Sequence, residues 1–482
     1  LAAMTGVDAQ LWKVEGSAAA GYTLTNKMGL QLYVTNTQEK GMVEAAKQHA
    51  NNKFSIEPCK TANFTSSFEI HPKANSEVGF NQWGGAAAGH PIGLWGSSKD
   101  REGNNALTFE TTAALDVYKN LPPLVPYPQN INIQEGKNLD LRNLKVITSP
   151  VDSLKGMVHE FAEEVKTRLG LTLSLQSSPA AAADGMVALI TDKSLAGAEA
   201  YTLNVTEKHI EIKAAHRAGF FYGLQTLRQL MTKAFYPKNV AQRDWNLPVL
   251  SIKDKHLLSY RGYMLDIARH FFDKNEVKRI LDIMSFYKMN RLHWHLTDDQ
   301  GWRIEIPEYP KLTQVGSRRK GSFVSDGIEK GFFDDTEYGR GMYYTLDDLR
   351  EIVAYAAERN IEIIPEIDMP GHMVAALAAY PELSCFPNRT YKVRVTAGIS
   401  KDVLNIGDDK VIDFLKTVLD NVAKVFPGRY IHLGGDECPT DRWKENALCQ
   451  QRIKDNKLNG VNELQTWLVH ELAVYLKKKY KK

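Results

Sequence analysis

The sequence predicts an α/β protein. Its C-terminal region reads as a (β/α)8 barrel, preceded by a small α+β domain and an N-terminal all-β domain. Three observations predict this. Beyond about residue 256, short and nearly continuous apolar runs alternate with amphipathic helical stretches, the pattern of parallel strands covered on both faces. Polar clusters ("HLTDDQGWR", "EIDMPGH", "GGDE") fall where those runs end, and several strands delivering chemistry to one edge favour a barrel mouth over a nucleotide-binding sheet. At "LPPLVPYPQ" (121–129) the composition shifts abruptly, with four prolines in nine residues, which reads as a linker.

Residues 1–118 show no long helical periodicity. Short runs such as "GYTLTN", "LQLYV", "SFEIHP" and "IGLWG" are separated by Gly, Asn, Ser and Lys clusters, an all-β pattern of sandwich or trefoil type. Trp83 and Trp95 are read as core aromatics of that domain, with a lectin-like sugar platform as the alternative. Residues 121–255 give strands at "LKVITS", "LTLSLQ", "MVALIT", "AYTLNV" and "HIEIKAA". Helices are expected at about 152–169 and at "RAGFFYGLQTLRQLM". This α+β domain carries no clustered chemistry and is read as support. Residues 256–482 give strands at "YRGYMLDIA", "NRLHWHL", "IEIIPEI" and "RYIHL". Helices follow at "KNEVKRILDIMSFYKM", "LDDLREIVAYAAERN", "DDKVIDFLKTVLDNVAKVF" and "NELQTWLVHELAVYLKKKYKK".

The chain has 482 residues, enough for roughly two to four domains, and a net charge of +3 with 24% charged residues. Much of that excess lies in the terminal "KKKYKK", so no nucleic-acid surface is indicated. No stretch approaches the ~20 apolar residues of a membrane span. No G-x-G-x-x-G or Walker pattern follows a strand, which argues against phosphate cradling. The four cysteines (Cys59, Cys385, Cys438, Cys449) lack C-x-x-C spacing and indicate neither a metal nor a disulfide framework.

The chemistry concentrates in six acids at three strand ends: Asp298, Asp299, Glu366, Asp368, Asp436 and Glu437, with His295, His372 and His432 nearby. Their spacing matches no H-E-x-x-H pattern or facial triad, so no metal is assigned. Helix capping explains single acids but not acids gathered at three strand ends together with Trp294 and Trp302. Sugar hydrolysis needs this material. One carboxyl group must hold a proton for the leaving oxygen, and another group must balance the developing oxocarbenium charge. Adjacent acids in a partly dry pocket would split their pKa values, and indole faces suit the apolar side of a pyranose.

From about residue 121 the chain resembles family 20 glycoside hydrolases, the β-N-acetylhexosaminidases and chitobiases. The resemblance is carried by "YRGYMLDIARHFF" (260–272), "MNRLHWHLTDDQGWRIEI" (289–306), "IPEIDMPGH" (364–372) and "HLGGDECP" (432–439). It implies that Glu437 protonates the glycosidic oxygen and later activates water. It implies that Asp436 holds the N–H of the substrate's 2-acetamido group, whose oxygen attacks the anomeric carbon to give an oxazolinium ion, the substrate-assisted exception to the two-carboxylate scheme. It further implies that Arg261 holds sugar hydroxyls, that Asp299 and His372 tune the site, and that Glu366 and His432 support it.

The expected activity is exo-acting and retaining, releasing terminal GlcNAc or GalNAc from glycans or chitin oligosaccharides without a cofactor. A secreted, periplasmic or cell-surface location is expected, although no signal pattern precedes Leu1. Only four of the eight βα units of a barrel can be counted, so the first half of the catalytic domain is expected here. The rival expectation is a carbohydrate-binding protein with a catalytically dead partial barrel.

Overall fold

The computed structural model describes residues 12–26, 28–47, 49–59, 67–82, 92–96, 106–107, 122–178, 181–325 and 331–482. The chain forms two compact units that divide at Pro122/Pro123. In the first, β1 (Trp12–Ser17), β2 (Gly21–Asn26), β3 (Gln31–Val34), β4 (Val43–Ala46), β5 (Phe54–Pro58) and β6 (Phe68–Pro72) make one antiparallel sheet. β7 (Val78–Gln82) and β8 (Ile92–Gly96) form a hairpin. Alternating residues of these strands (Leu24, Val34, Phe54, Ile70, Phe80, Leu94) fill its core. Trp95 lies on β8 and is partly exposed, whereas Trp83 lies outside the described residues.

The second unit begins with a seven-stranded mixed sheet in the order β11-β10-β12-β14-β13-β15-β9. These strands are β9 (Asn130–Asp140), β10 (Val146–Ser149), β11 (Ser174–Ser177), β12 (Met186–Thr191), β13 (Tyr201–Val205), β14 (Ile210–Ala214) and β15 (Asn246–Asp254). The sequence reading missed β9 and β15, which pair with each other across a register shift between Pro248 and Leu250. α1 (Lys155–Leu169) and α2 (Arg217–Leu230) pack on this sheet through Phe161, Val165, Phe220, Leu224 and Leu227. The proline-rich segment is no free linker from Leu124 onward. Leu124 is buried, and the Gln229 side chain accepts from Val125 N–H (2.8 Å) and donates to its carbonyl (2.7 Å).

Three parallel strands follow: β16 (Gly262–Asp266), β17 (Arg291–His295) and, after the short antiparallel pairs β18 (Thr297–Asp298) with β19 (Gly301–Trp302) and β20 (Ser322–Ser325) with β21 (Gly331–Asp334), β22 (Glu362–Glu366); Asp266, His295 and Glu366 lie level at the C-terminal ends of the three. Their connecting helices are α3 (Lys274–Phe286) and α4 (Leu346–Glu358), and each starts in a capping box, at Asp273 and Thr345 respectively. The fourth expected strand, "RYIHL", is reduced to one parallel bridge between His432 and Glu366. Its neighbours still track β22, since Ile367 N–H donates to His432 O (3.1 Å) and Met369 N–H to Leu433 O (3.1 Å). Among the described residues these strands do not close into a barrel. α5 (Val374–Ala379), α6 (Asp409–Val425) and, near the C-terminus, α7 (Val461–Tyr480) contribute to the same core. Trp294, Trp302 and Trp443 are fully buried in it. Trp294 and Trp302 therefore offer no face to a sugar, contrary to the sequence expectation.

Candidate active site

The strand ends bring ten polar side chains to one edge. Gly434 and Gly435 take φ values of +65° and +103°, which glycine adopts without a Cβ penalty. A Cβ on Gly434 would sit 2.0 Å from Asp368 Oδ1, so the turn needs a bare backbone at that point. Asp368 accepts from Gly435 N–H at 2.9 Å. The turn delivers Asp436 and Glu437 into solvent, with side chains 59% and 54% exposed. The dry enclosure expected to split this pair is not supplied by the described residues.

Behind the pair runs a chain of alternating charges. His372 Nε2 lies 3.4 Å from Glu437 Oε2 and 3.8 Å from Asp436 Oδ2. Its Nδ1 meets Asp298 Oδ1 at 3.1 Å. Asp298 is fully buried. Its Oδ2 takes Arg269 Nη2 at 2.7 Å and His295 Nε2 at 2.8 Å. His295 Nδ1 reaches Glu366 Oε2 at 2.8 Å. That oxygen also meets His293 Nε2 at 2.6 Å, while Glu366 Oε1 meets His432 Nδ1 at 3.1 Å.

The electrostatics follow from these contacts. The hydrogen bond to Asp298 outweighs burial and pushes His372 up to about 9. Burial works against a charge on His295, but Asp298 and Glu366 raise it to about 10. Burial would also raise Asp298 and Glu366, yet their histidine partners hold both well below the usual carboxylate range. Asp368 lacks such partners. Burial, reinforced by Asp436, lifts it to about 7, and its Oδ2 has no hydrogen-bond partner.

Among the described residues, four triples of these side chains and Asp299 have donor atoms within 4.8 Å of one another; three share members, including His295–Asp298–Asp368 and Asp368–His372–Asp436, and His293–Glu366–His432 stands apart. Metal ligation requires a neutral imidazole. His295 and His372 are both raised and committed to carboxylates, so the donor chemistry favours an ion-pair relay over a metal site.

The sequence-predicted residues divide in position. Asp436, Glu437, His372, Glu366 and His432 come together. Asp299 is adjacent but turned away: it accepts from Val374 N–H (3.1 Å) and Arg394 Nη1 (3.0 Å) and lies 3.8 Å from His372. Its neighbour Asp298 makes the direct contact. Arg261 is not brought to the site. It precedes β16, so its guanidinium emerges at the N-terminal edge, bonded to Glu199 (2.7 Å), Tyr222 Oη (3.1 Å) and Lys288 O (2.7 Å). Arg269, three residues past the other end of the same strand, is the arginine at the cluster. Asp298, Asp368 and His295 stand among the strand-end residues that the sequence singles out, but it assigns them no role, and it passes over Arg269 and His293. Position relative to the strand end was the available signal for each.

The family profile described as "Glycosyl hydrolase family 20, catalytic domain" matches residues 258–482, and that for "domain 2" matches residues 121–255. The chain belongs to glycoside hydrolase family 20. It is 39% identical over 357 residues to a β-hexosaminidase of Porphyromonas gingivalis, covering 74% of this chain and 44% of that protein. It is 44% identical over 253 residues to a β-hexosaminidase of Akkermansia muciniphila, covering 52% and 48%. Among solved structures, the chitobiase of Flavobacterium johnsoniae superposes with a TM-score of 0.61 at 35% identity, covering 74% of this chain and 51% of that one. A β-N-acetylhexosaminidase from Bacteroides fragilis gives 0.59 at 34%, covering 74% and 64%. The chain thus spans about half the length of the curated relatives it matches. Family 20 membership and these neighbours support an N-terminal domain followed by a TIM-barrel catalytic domain.

Proposed function

We propose that this protein is an exo-acting, retaining β-N-acetylhexosaminidase that removes terminal GlcNAc or GalNAc by substrate-assisted hydrolysis. The observation that carries the reading is the Asp436–Glu437 pair backed by His372 and Asp298. Glu437 gives its proton to the glycosidic oxygen, and the carboxylate left behind faces the His372 cation. Asp298 holds that cation in place. Asp436 accepts from the acetamido N–H, so the acetamido oxygen closes on the anomeric carbon as the C–O bond breaks. Water activated by Glu437 then opens the oxazolinium ring with net retention. Arg269, partly exposed beside Asp298, is the donor set for sugar hydroxyls. The names of the relatives, β-hexosaminidase and chitobiase, support the substrate class.

An aryl N-acetyl-β-glucosaminide and the matching aryl β-glucoside test this reading. Hydrolysis of the first and not the second is expected, because the second lacks the internal nucleophile. Equal turnover of both refutes substrate assistance. Glycan binding without turnover would favour the rival carbohydrate-binding reading.

A further inference from the structure

We propose that Cys385 and Cys449 are a disulfide-forming pair, which closes when the protein meets an oxidising thiol–disulfide pool. The pair does not show in the sequence, where the two residues stand more than sixty positions apart with no shared motif. The fold brings them together in the core of the second unit. Cys385 is 7% exposed and Cys449 fully buried, and their side chains hydrogen-bond to each other. Both are free thiols in this structure. The inference is independent of the hydrolase reading.

Two asparagines hold the backbones of both residues in place. Asn446 caps the helix Ala447–Asp455; it accepts from Cys449 N–H at 3.0 Å and donates from Nδ2 to Cys385 O at 3.3 Å. Asn405 donates its N–H to Leu383 O at 2.8 Å, and its Oδ1 accepts from Cys449 Sγ at 3.2 Å. Ser384, just before Cys385, forms a β-bridge with Leu404, just before Asn405. A Cβ on Gly407 would fall 2.2 Å from Cys449 N, so the start of the helix presses onto bare backbone there. Sulfurs kept in hydrogen-bond contact by such a frame reach the ~2.05 Å of an S–S bond by side-chain rotation.

The two thiols are not equivalent. Cys385 is pushed up, first by its hydrogen bond to Cys449 and then by burial, so it keeps its proton. Cys449 is lowered, chiefly by that same hydrogen bond; burial opposes the shift, and Gly407 N–H and the Arg452 charge assist it. Cys449 is therefore the attacking sulfur and Cys385 the resolving one. With glutathione disulfide as oxidant, the Cys449 thiolate bonds to one glutathione sulfur. The S–S bond breaks, and its electron pair leaves on the other glutathione thiolate. Cys385 then gives up its proton and attacks Cys449 Sγ, expelling the second glutathione. The two cysteine protons end on the two glutathione thiols; the protein loses two electrons and glutathione disulfide gains them. Because both sulfurs are buried, the first attack occurs when the helix Ala447–Asp455 opens locally or before it docks.

The test equilibrates the full chain in graded mixtures of reduced and oxidised glutathione, approached from both the reduced and the oxidised side. One series is run under native conditions and one in urea that unfolds the chain. Acid quenching, alkylation, digestion and mass spectrometry then read the linked Cys385–Cys449 peptide. A loop of this length costs the unfolded chain much entropy to close, so the native chain should half-oxidise at a [GSH]²/[GSSG] about 10²-fold higher than the unfolded one. Cys385→Ser should stop at a glutathione adduct on Cys449, whereas Cys449→Ser should leave Cys385 unmodified; that split reads the order of attack. A native-to-unfolded ratio below about tenfold overturns the proposal. So does the absence of a linked peptide from the native chain, or a link that uses Cys59 or Cys438. An adduct on Cys385 in place of Cys449 overturns the assigned order. If a serine variant fails to fold, the ratio measured on the parent still decides.

Discussion

Asp298→Asn tests the charge relay most directly, because the substitution keeps the shape and removes one buried charge. In the parent, Asp298 faces Arg269 at 2.7 Å, His295 at 2.8 Å and His372 at 3.1 Å. Raising His372 from 6.5 to about 9 corresponds to roughly 3 kcal/mol of preference for the charged ring at ~1.36 kcal/mol per pKa unit. Asp298 is the leading cause of that preference. The variant should therefore bring the His372 midpoint to about 7 or below, read by NMR titration of the imidazole carbons.

Stability should fall by about 3 kcal/mol near neutral pH, the scale expected when one partner of a buried pair is removed. The sign of its pH dependence is fixed by the shifts. His372 and His295 have folded values above their unfolded value. Their contribution is complete below about pH 6.5 and is lost as pH rises through about 9 and about 10. The gap between parent and variant in denaturant melts should thus be widest near pH 6 and narrow above pH 9. A His372 midpoint that stays above 8 in the variant, or a gap that widens with pH, refutes the relay.

Glu437→Gln should cost about 10²–10⁴-fold on substrates with poor leaving groups and much less on activated aryl glycosides, which depart without a proton; equal losses would remove Glu437 from the acid role. Asp436→Asn should lower kcat while product GlcNAc still binds, and a thiazoline mimic of the oxazolinium ion should inhibit the parent far better than GlcNAc. Similar affinities for the two inhibitors would count against an internal nucleophile. Gly434→Ala combines φ +65° with a contact of 2.0 Å to Asp368 and should destabilise by about 2 kcal/mol or more, measured by thermal melting. Arg261→Met should lower the melting temperature and leave KM unchanged. A raised KM at unchanged stability would return Arg261 to the sugar site.

The residues that sequence reasoning placed well, and those it did not, differ in how their position depends on the strand. "GGDE" announces itself: two glycines at a strand end describe a turn that only a bare backbone makes, and the acids after them must leave the sheet. The regular helices were equally legible, because α3, α4 and α6 carry an apolar stripe and a side-chain cap at the N-terminus. By contrast, β9 and β15 were missed: β9 becomes a strand only by pairing with β15, more than a hundred positions away, and β15 by lying between β9 and β13 in the sheet. Trp294 and Trp302 drew attention as chemistry. In a strand covered on both faces, however, an indole beside an acid can point straight into the core, and composition does not tell the two directions apart.

The two arginines of "YRGYMLDIARHFF" show what local sequence leaves undetermined. Arg261 and Arg269 flank one five-residue strand, β16, which rises about 3.3 Å per residue, so strand length alone separates their two edges by ~15 Å. No side chain of Arg261 length recrosses that span when a carboxylate, Glu199, waits at its own edge 2.7 Å away. Asp298 and Asp299 pose the same problem at closer range. Successive side chains near a strand end point to opposite sides, so one acid meets His372 and Arg269 while the other turns to Arg394 and the start of α5. A motif reports which residue types a site needs, and the direction of the chain through it decides which copy of each type arrives. That choice is fixed by pairing between β16, β17 and β22, whose level ends hold Asp266, His295 and Glu366 in one row. It follows that exchanging the neighbours, Asp298→Asn against Asp299→Asn, should give unequal results, with only the first shifting the His372 titration by more than one pKa unit.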